Sequence, residues 1–112
     1  MLGEAVRGES GGQRVGDFIA LRIPAKEKRK LTLYATKSWD YGILRFSVNG
    51  QPAGKDFDAW AERPKPSGPV TLGVFEPKNG AFILRVEVVG ANPKSKNSKS
   101  FFGLDAVTLT AP

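Results

Sequence analysis

The chain has 112 residues, the usual size of one domain, and its composition is that of a globular protein, with 40% hydrophobic and 25% charged residues. It contains neither cysteine nor histidine, which excludes a disulfide framework, a thiol nucleophile, a Ser-His-Asp triad and the usual zinc sites. The net charge of +6 keeps a small domain soluble and attracts anionic partners without specificity. We therefore do not expect an enzyme.

Apolar and polar residues alternate along most of the chain, which is the period of a β-strand with one buried face. No stretch of ten or more residues has the 3.6-residue period of a helix. Two weaker strands are predicted near Glu4–Arg7 and Pro52–Phe57. Six stronger strands are predicted at Asp17–Ile23, Leu31–Ala35, Leu44–Val48, Val70–Val74, Phe82–Val88 and Leu104–Leu109.

Turn-forming residues separate the predicted strands. Asn49-Gly50 is the strongest turn signal, because both positions tolerate a positive φ. The proline-rich run Pro64–Pro69 and the segment Gly90–Pro93 are also predicted to separate strands. The polar segment Lys94–Ser100, with its three lysines, is expected to be poorly ordered. Short strands at these spacings predict an all-β sandwich or barrel.

Seven motifs follow one another in an order shared with one group of β-sandwich modules. They are Gly16–Ile19, Lys30–Tyr34, the strand and turn from Gly42 to Gly50, Phe57-Asp58, Val70–Gly73, Asn79-Gly80 and Phe102–Leu109. This succession resembles the galactose-binding-like modules of bacterial extracellular proteins, and it is most similar to carbohydrate-binding modules of families six and thirty-five. The likeness covers about residues 14–110 and consists of order and spacing, without a catalytic signature.

The resemblance implies an antiparallel β-sandwich of the jelly-roll, galactose-binding-like type. It implies one domain over residues 1–112, cut from a larger chain and covalently linked to other domains there. Its function would be that of a non-catalytic accessory module that attaches a parent enzyme or surface protein to glycan. We accordingly expect a secreted, periplasmic or cell-surface location. No apolar run reaches the roughly 20 residues of a membrane span, so no membrane insertion is expected.

The resemblance also implies a structural calcium ion. It would lie between a glutamate of the first strand, Glu4 or Glu9, and Asp105 of the last strand. Calcium binds six to eight oxygens, so backbone carbonyls would have to complete such a site. The residues alone leave a second interpretation open, in which Asp105 caps a turn or pairs with a lysine.

The segment Trp39-Asp40-Tyr41 lies between two predicted strands and is the first candidate ligand site. Sugar rings stack on aromatic planes, and a neighbouring carboxylate accepts sugar hydroxyls. Lys37 and Asn97 would contribute further hydrogen bonds. The other interpretation is that Trp39 covers one end of the core.

Trp60, which precedes the proline-rich run, is the second candidate platform, although it could also fill the seam between two sheets. The positive charge and interleaved aromatic residues would suit single-stranded nucleic acid. However, the chain has neither the helix of an oligonucleotide-binding barrel nor a nucleic-acid motif, so no specific nucleic acid is expected. The alternative function is that of a structural or protein-interaction sandwich without affinity for glycan.

Overall fold

The computed structural model describes residues 2–11, 18–94 and 102–112, with side chains for 18–94 and 103–112. These residues form eight strands and no helix, so all eight predicted strands are confirmed. The strands are β1 (Leu2–Gly11), β2 (Phe18–Pro24), β3 (Arg29–Lys37), β4 (Gly42–Val48), β5 (Gln51–Asp58), β6 (Lys65–Phe75), β7 (Ala81–Ala91) and β8 (Phe102–Thr110).

The strands form two four-stranded sheets with the orders β1-β8-β3-β6 and β2-β7-β4-β5. Every strand pair is antiparallel. Along the chain, each connection crosses from one sheet to the other, except the hairpin between β4 and β5. Eight strands divided in this way make a jelly roll. The predicted all-β antiparallel sandwich is therefore confirmed.

Every second residue of a strand lies on the same face of the sheet, and the apolar residues of these faces form the core. Because each strand presents one apolar face, stacking the two sheets removes both faces from water. Each large side chain buried there contributes roughly 1.5–3 kcal/mol. The fully buried large side chains of the central strands are Leu31 and Leu33 of β3, Leu44, Phe46 and Val48 of β4, Phe82, Leu84, Val86 and Val88 of β7, and Leu104 and Val107 of β8.

The structure corrects the prediction that the proline-rich run separates strands, because most of the run is the first half of β6. Proline has no N–H, and β6 tolerates Pro66 and Pro69 because it is the edge strand of its sheet. The ladder between β3 and β6 is irregular here, and the Oγ of Ser67 accepts the backbone N–H of Ala35 at 3.0 Å. At this irregularity a side-chain oxygen, instead of a backbone carbonyl, accepts the N–H of Ala35. The predicted separator at 90–93 also begins too early, since β7 continues to Ala91.

Two Asn-Gly pairs form tight turns. Asn49 and Gly50 have φ values of 50° and 81°, and Asn79 and Gly80 have 53° and 76°. Both central residues lie in the left-handed region, as the type I′ turn of a two-residue hairpin requires. The turn predicted at Asn49-Gly50 is confirmed.

One end of the sandwich, which we call the loop end, carries the connections 38–41 between β3 and β4, 59–64 between β5 and β6, and the start of the connection after β7. The two Asn-Gly turns lie at the opposite end. The start of β1 and the end of β8 also lie there, because Leu2 pairs with Thr108 and Thr110 pairs with Lys30 at the start of β3. Over the residues described, no helix is long and apolar enough to cross a membrane.

Candidate functional site

Backbone hydrogen bonds centred on Ser38 hold two connections of the loop end together. Ser38 is buried, and its N–H donates to the carbonyl of Ala59 at 2.9 Å. Its own carbonyl accepts the N–H groups of Ala61 at 3.0 Å and Tyr41 at 3.3 Å. Because these bonds are shielded from water, they fix the 38–41 connection against the start of the 59–64 connection.

Trp39 follows this buried serine and lies at the surface, with 42% of its area exposed. Its neighbour Asp40 is half-buried. Much of the indole is therefore accessible to a ligand. A large exposed aromatic ring on a held loop is a typical platform for a ligand that has an apolar face.

Tyr41 is less exposed than Trp39, although the two residues are close in the sequence. It is half-buried and packs against the hydrophobic core. Burial raises the pKa of its phenol above the ordinary 10.0, and the negative charges of Asp40 and Asp105 raise the pKa further. These causes place the phenol and both carboxylates close to one another at the loop end.

The raised pKa of Tyr41 leads to a first prediction. A Tyr34→Phe background leaves Tyr41 as the only tyrosine of a chain that has two. In it, Asp40→Asn should lower the pKa of the phenol, because a charge that opposes phenolate formation is removed. Absorbance of the phenolate during a pH titration measures this. The control is Asp56→Asn, which removes a carboxylate on β5 that does not contribute to the raised pKa of Tyr41. An equal shift of the phenol pKa in both variants would contradict the placement of Asp40 beside the phenol.

The same shift has a consequence for stability. The folded protein holds the phenol proton more tightly than the unfolded chain does. The resulting stabilisation is present below pH 10 and is lost as the pH rises through the pKa of the folded protein. Denaturant titrations should therefore show that the stability of the parent falls relative to that of Tyr41→Phe as the pH rises through this range.

Trp60 lines a groove of about 350 Å³ at the loop end. Its ring is half-buried, and its Nε1 has no hydrogen-bond partner among the described residues. The Nζ of Lys94 lies 5.6 Å from the centroid of the ring. The remaining walls of this groove, which we call the Trp60 groove, are Lys37, Ala61, Glu62, Arg63 and Lys65.

Asp58 positions this part of the site, although the sequence did not single it out for that role. Its Oδ1 accepts the backbone N–H of Trp60 at 3.0 Å, and its Oδ2 accepts the Nδ2 of Asn92 at 2.7 Å. The Oδ1 of Asn92 accepts the N–H of Lys94 at 2.9 Å. One carboxylate thus joins the end of β5 to the connection after β7. Aspartate two residues before Trp60, and asparagine two before Lys94, are sequence signals of such side-chain turns.

Asp58→Asn should therefore destabilise the loop end. An amide offers one acceptor oxygen where the carboxylate offers two, so either Trp60 or Asn92 would face an N–H donor instead of an acceptor. We expect a loss of about 1–3 kcal/mol in the free energy of unfolding. Urea denaturation followed by tryptophan fluorescence measures it.

The matched control for this change is Asp56→Asn on the same strand. Asp56 forms an exposed ion pair with Arg45, at 2.9 Å, and such pairs contribute little to stability. The denaturation midpoint of the control should hardly move. Equal midpoints for the two variants would show that Asp58 does not hold the loops.

Asp105 lies at the surface, at an irregularity in the pairing of β8 with β3. Both of its carboxylate oxygens accept from the Oγ1 of Thr36, at 3.2 and 3.4 Å. β1 pairs Glu9 with Leu104, so the backbone brings Glu9 next to Asp105. The side chains of Glu4 and Glu9 lie outside the described residues. The calcium site stays a prediction.

Two of the six predicted ligand residues, Lys37 and Trp60, share the Trp60 groove. Trp39 and Asp40 lie on the adjoining connection, and Tyr41 packs inward. Asn97, in the connection between β7 and β8, lies outside the described residues.

Comparison with known proteins identifies the fold. No family model and no curated protein match the chain. Among solved structures, it is similar to part of a xanthan lyase from Paenibacillus, with a TM-score of 0.72 and 18% identity over 97% of this chain. The matched part is 12% of the length of that protein. At this identity the similarity shows the fold, a β-sandwich that occurs there within a much longer chain.

Proposed function

We propose that this β-sandwich is a non-catalytic carbohydrate-binding module that attaches a parent protein to glycan. Trp39 is the sugar platform, and the Trp60 groove makes the second contact. Lys37 and Asp40 form hydrogen bonds with sugar hydroxyls, as does Asn97. The observation that carries the proposal is the exposed ring of Trp39 on a connection held by buried hydrogen bonds.

The physical basis is the apolar area that the site leaves in water. The indole of Trp39 can cover the C–H face of a sugar, which removes apolar surface of both partners from water. Because the hydrogen bonds of Ser38 already order the connection, little conformational freedom is lost on binding. Polar groups beside the ring would orient the sugar, as in most small-ligand sites.

The course of the chain supports a tethering role. The start of β1 and the end of β8 lie at the end of the sandwich opposite Trp39. A domain linked to either terminus would therefore leave the loop end free for glycan. The similar fold within a xanthan lyase gives further support by association, because that protein acts on a polysaccharide.

A glycan array, followed by affinity electrophoresis in gels that contain single polysaccharides, xanthan among them, tests the proposal. We expect retention on at least one polysaccharide and none in gels without glycan. A blank array together with unretarded migration in every gel would overturn the proposal. The domain would then be the structural or protein-interaction sandwich that the sequence left open.

A further inference from the structure

We propose that the Trp60 groove selects acidic glycans and that its lysines and arginine bind the carboxylate of a uronic acid. This inference rests on the proposed function and adds the class of sugar. The groove brings the ring of Trp60 and three cations, Lys37, Arg63 and Lys65, together in one cavity.

The charges of the groove are strongly unequal. Lys37, Arg63 and Lys65 line it, with Glu62 as the one carboxylate of the lining. Lys94 adds a fourth cation over the ring of Trp60.

None of these four cations has an ion-pair partner within the described part of the chain, whereas Arg29, Arg45 and Arg85 each have one. Cations gathered in a concave site without local partners raise the concentration of anions there. The groove is therefore suited to an anionic ligand.

Lys94 also disfavours a neutral sugar on the face of Trp60 that it covers. Its ammonium lies 5.6 Å from the ring centroid, which is within the range of a cation–π contact. A neutral sugar that stacked on this face would displace the ammonium into water, and the cation–π contact would be lost. A sugar that carries a carboxylate would form a charge-assisted hydrogen bond with the displaced ammonium.

The same residues favour a glycan over a single-stranded nucleic acid. A nucleic acid carries a charge on every phosphate, and the loop end also exposes or half-exposes Asp40, Glu62 and Asp105, which would repel a phosphate backbone. The hydroxyls of a sugar would instead donate to these carboxylates. A volume of about 350 Å³ is also at the lower end of small-ligand sites, which suits a short stretch of sugar rings.

The decisive experiment compares polysaccharides that differ only in charge. Polygalacturonate, polymannuronate and glucuronoxylan are each tested against the same polymer after reduction of its carboxyl groups to alcohols. Affinity electrophoresis gives the dissociation constants, and a single-stranded oligothymidylate is the fourth probe. We expect at least one acidic polymer to bind about tenfold or more tightly than its reduced form, because a charge-assisted hydrogen bond is lost.

Equal binding within every pair would overturn the acidic selectivity and leave the proposed function intact. Binding to no polysaccharide, acidic or neutral, would overturn both. Binding of oligothymidylate as tight as that of the best glycan would also overturn the inference, because the groove would then bind polyanions in general.

Variants assign the selectivity to the groove. The double change Arg63→Gln and Lys65→Gln removes two exposed cations, and we expect the preference for the acidic polymer to fall about tenfold or more. The double change Lys28→Gln and Lys78→Gln at the opposite end removes the same net charge. It should change the preference for the acidic polymer less than about twofold. Both variants should have the same melting temperature as the parent. Equal losses in the two would show that net charge, and not the groove, gives the preference.

Discussion

Trp39→Ala should abolish retention of the protein on glycan and hardly change its melting temperature. The indole is 42% exposed on a connection that backbone hydrogen bonds already hold, so the fold depends little on the ring. A sugar that stacks on the indole would lose its main apolar contact. Truncation of such an anchor typically costs about 2 kcal/mol or more, so affinity should fall about thirtyfold or more. Affinity electrophoresis and thermal denaturation measure the two effects.

Phe18→Ala provides the matched control for Trp39. Phe18 is another exposed aromatic residue, with 54% of its area in water, and its ring stacks on the guanidinium of Arg85 in the β2–β7–β4–β5 sheet. This variant should keep full affinity for glycan. If Trp39→Ala keeps its affinity as well, the site assignment is wrong, whatever glycan the domain binds.

The second large effect is expected for Gly54→Ala, which should destabilise the fold by about 2–4 kcal/mol. Gly54 has a φ of 65°, a conformation in which a side chain is strained. A Cβ atom would also lie 2.9 Å from the carbonyl oxygen of Thr71, which is backbone and cannot move aside easily. Gly54 lies on the edge strand of one sheet and Thr71 on the edge strand of the other. The new methyl group would therefore push the two sheets apart.

Gly68→Ala separates the two causes of that loss. Its φ of 73° is similar, but nothing lies within 4 Å of an added Cβ. We expect only the strain of the left-handed conformation, about 1–2 kcal/mol. Urea denaturation of both variants gives the comparison. If Gly54→Ala loses no more stability than Gly68→Ala, the close approach of the two edge strands is not a constraint on the fold.

The strands were predictable because their cause is local. A sandwich buries one face of each strand, so Leu31, Leu33 and Ala35 had to alternate with polar residues, and the structure buries all three. The turn at Asn49-Gly50 was predictable for a similar reason, since few residue pairs accept two positive φ values in succession. In both cases, the residues in question carry the physical constraint themselves.

The proline-rich start of β6 shows where a local pattern is insufficient. Pro66 and Pro69 indicate a break in a strand, and in the centre of a sheet they would interrupt it. The topology places β6 at an edge, and the Oγ of Ser67 supplies an acceptor to Ala35 of the neighbouring strand. Whether a proline is compatible with a strand thus depends on which neighbours the strand has.

Some features of the candidate site could likewise be predicted from the sequence, and others could not. From the sequence alone it was possible to single out Trp39 and Trp60, because aromatic residues between strands need an explanation. Their exposure was not predictable, since it depends on how the 38–41 and 59–64 connections meet. Asp58, Arg63 and Lys94 were missed as members of the site. Asp58 ends β5, Arg63 lies in the connection after β5 and Lys94 follows β7, so the loop end brings together residues that are distant in the chain.

The alternation of apolar residues and the turn residues by themselves determined the number of strands, the class of the fold and the composition of its core. The tertiary structure decided which sheet edge carries the prolines, which aromatic ring lies in water and which cations share one groove. The reason is the range of the interactions: burial of a strand face repeats every two residues, whereas a binding site depends on distances between loops far apart in the chain.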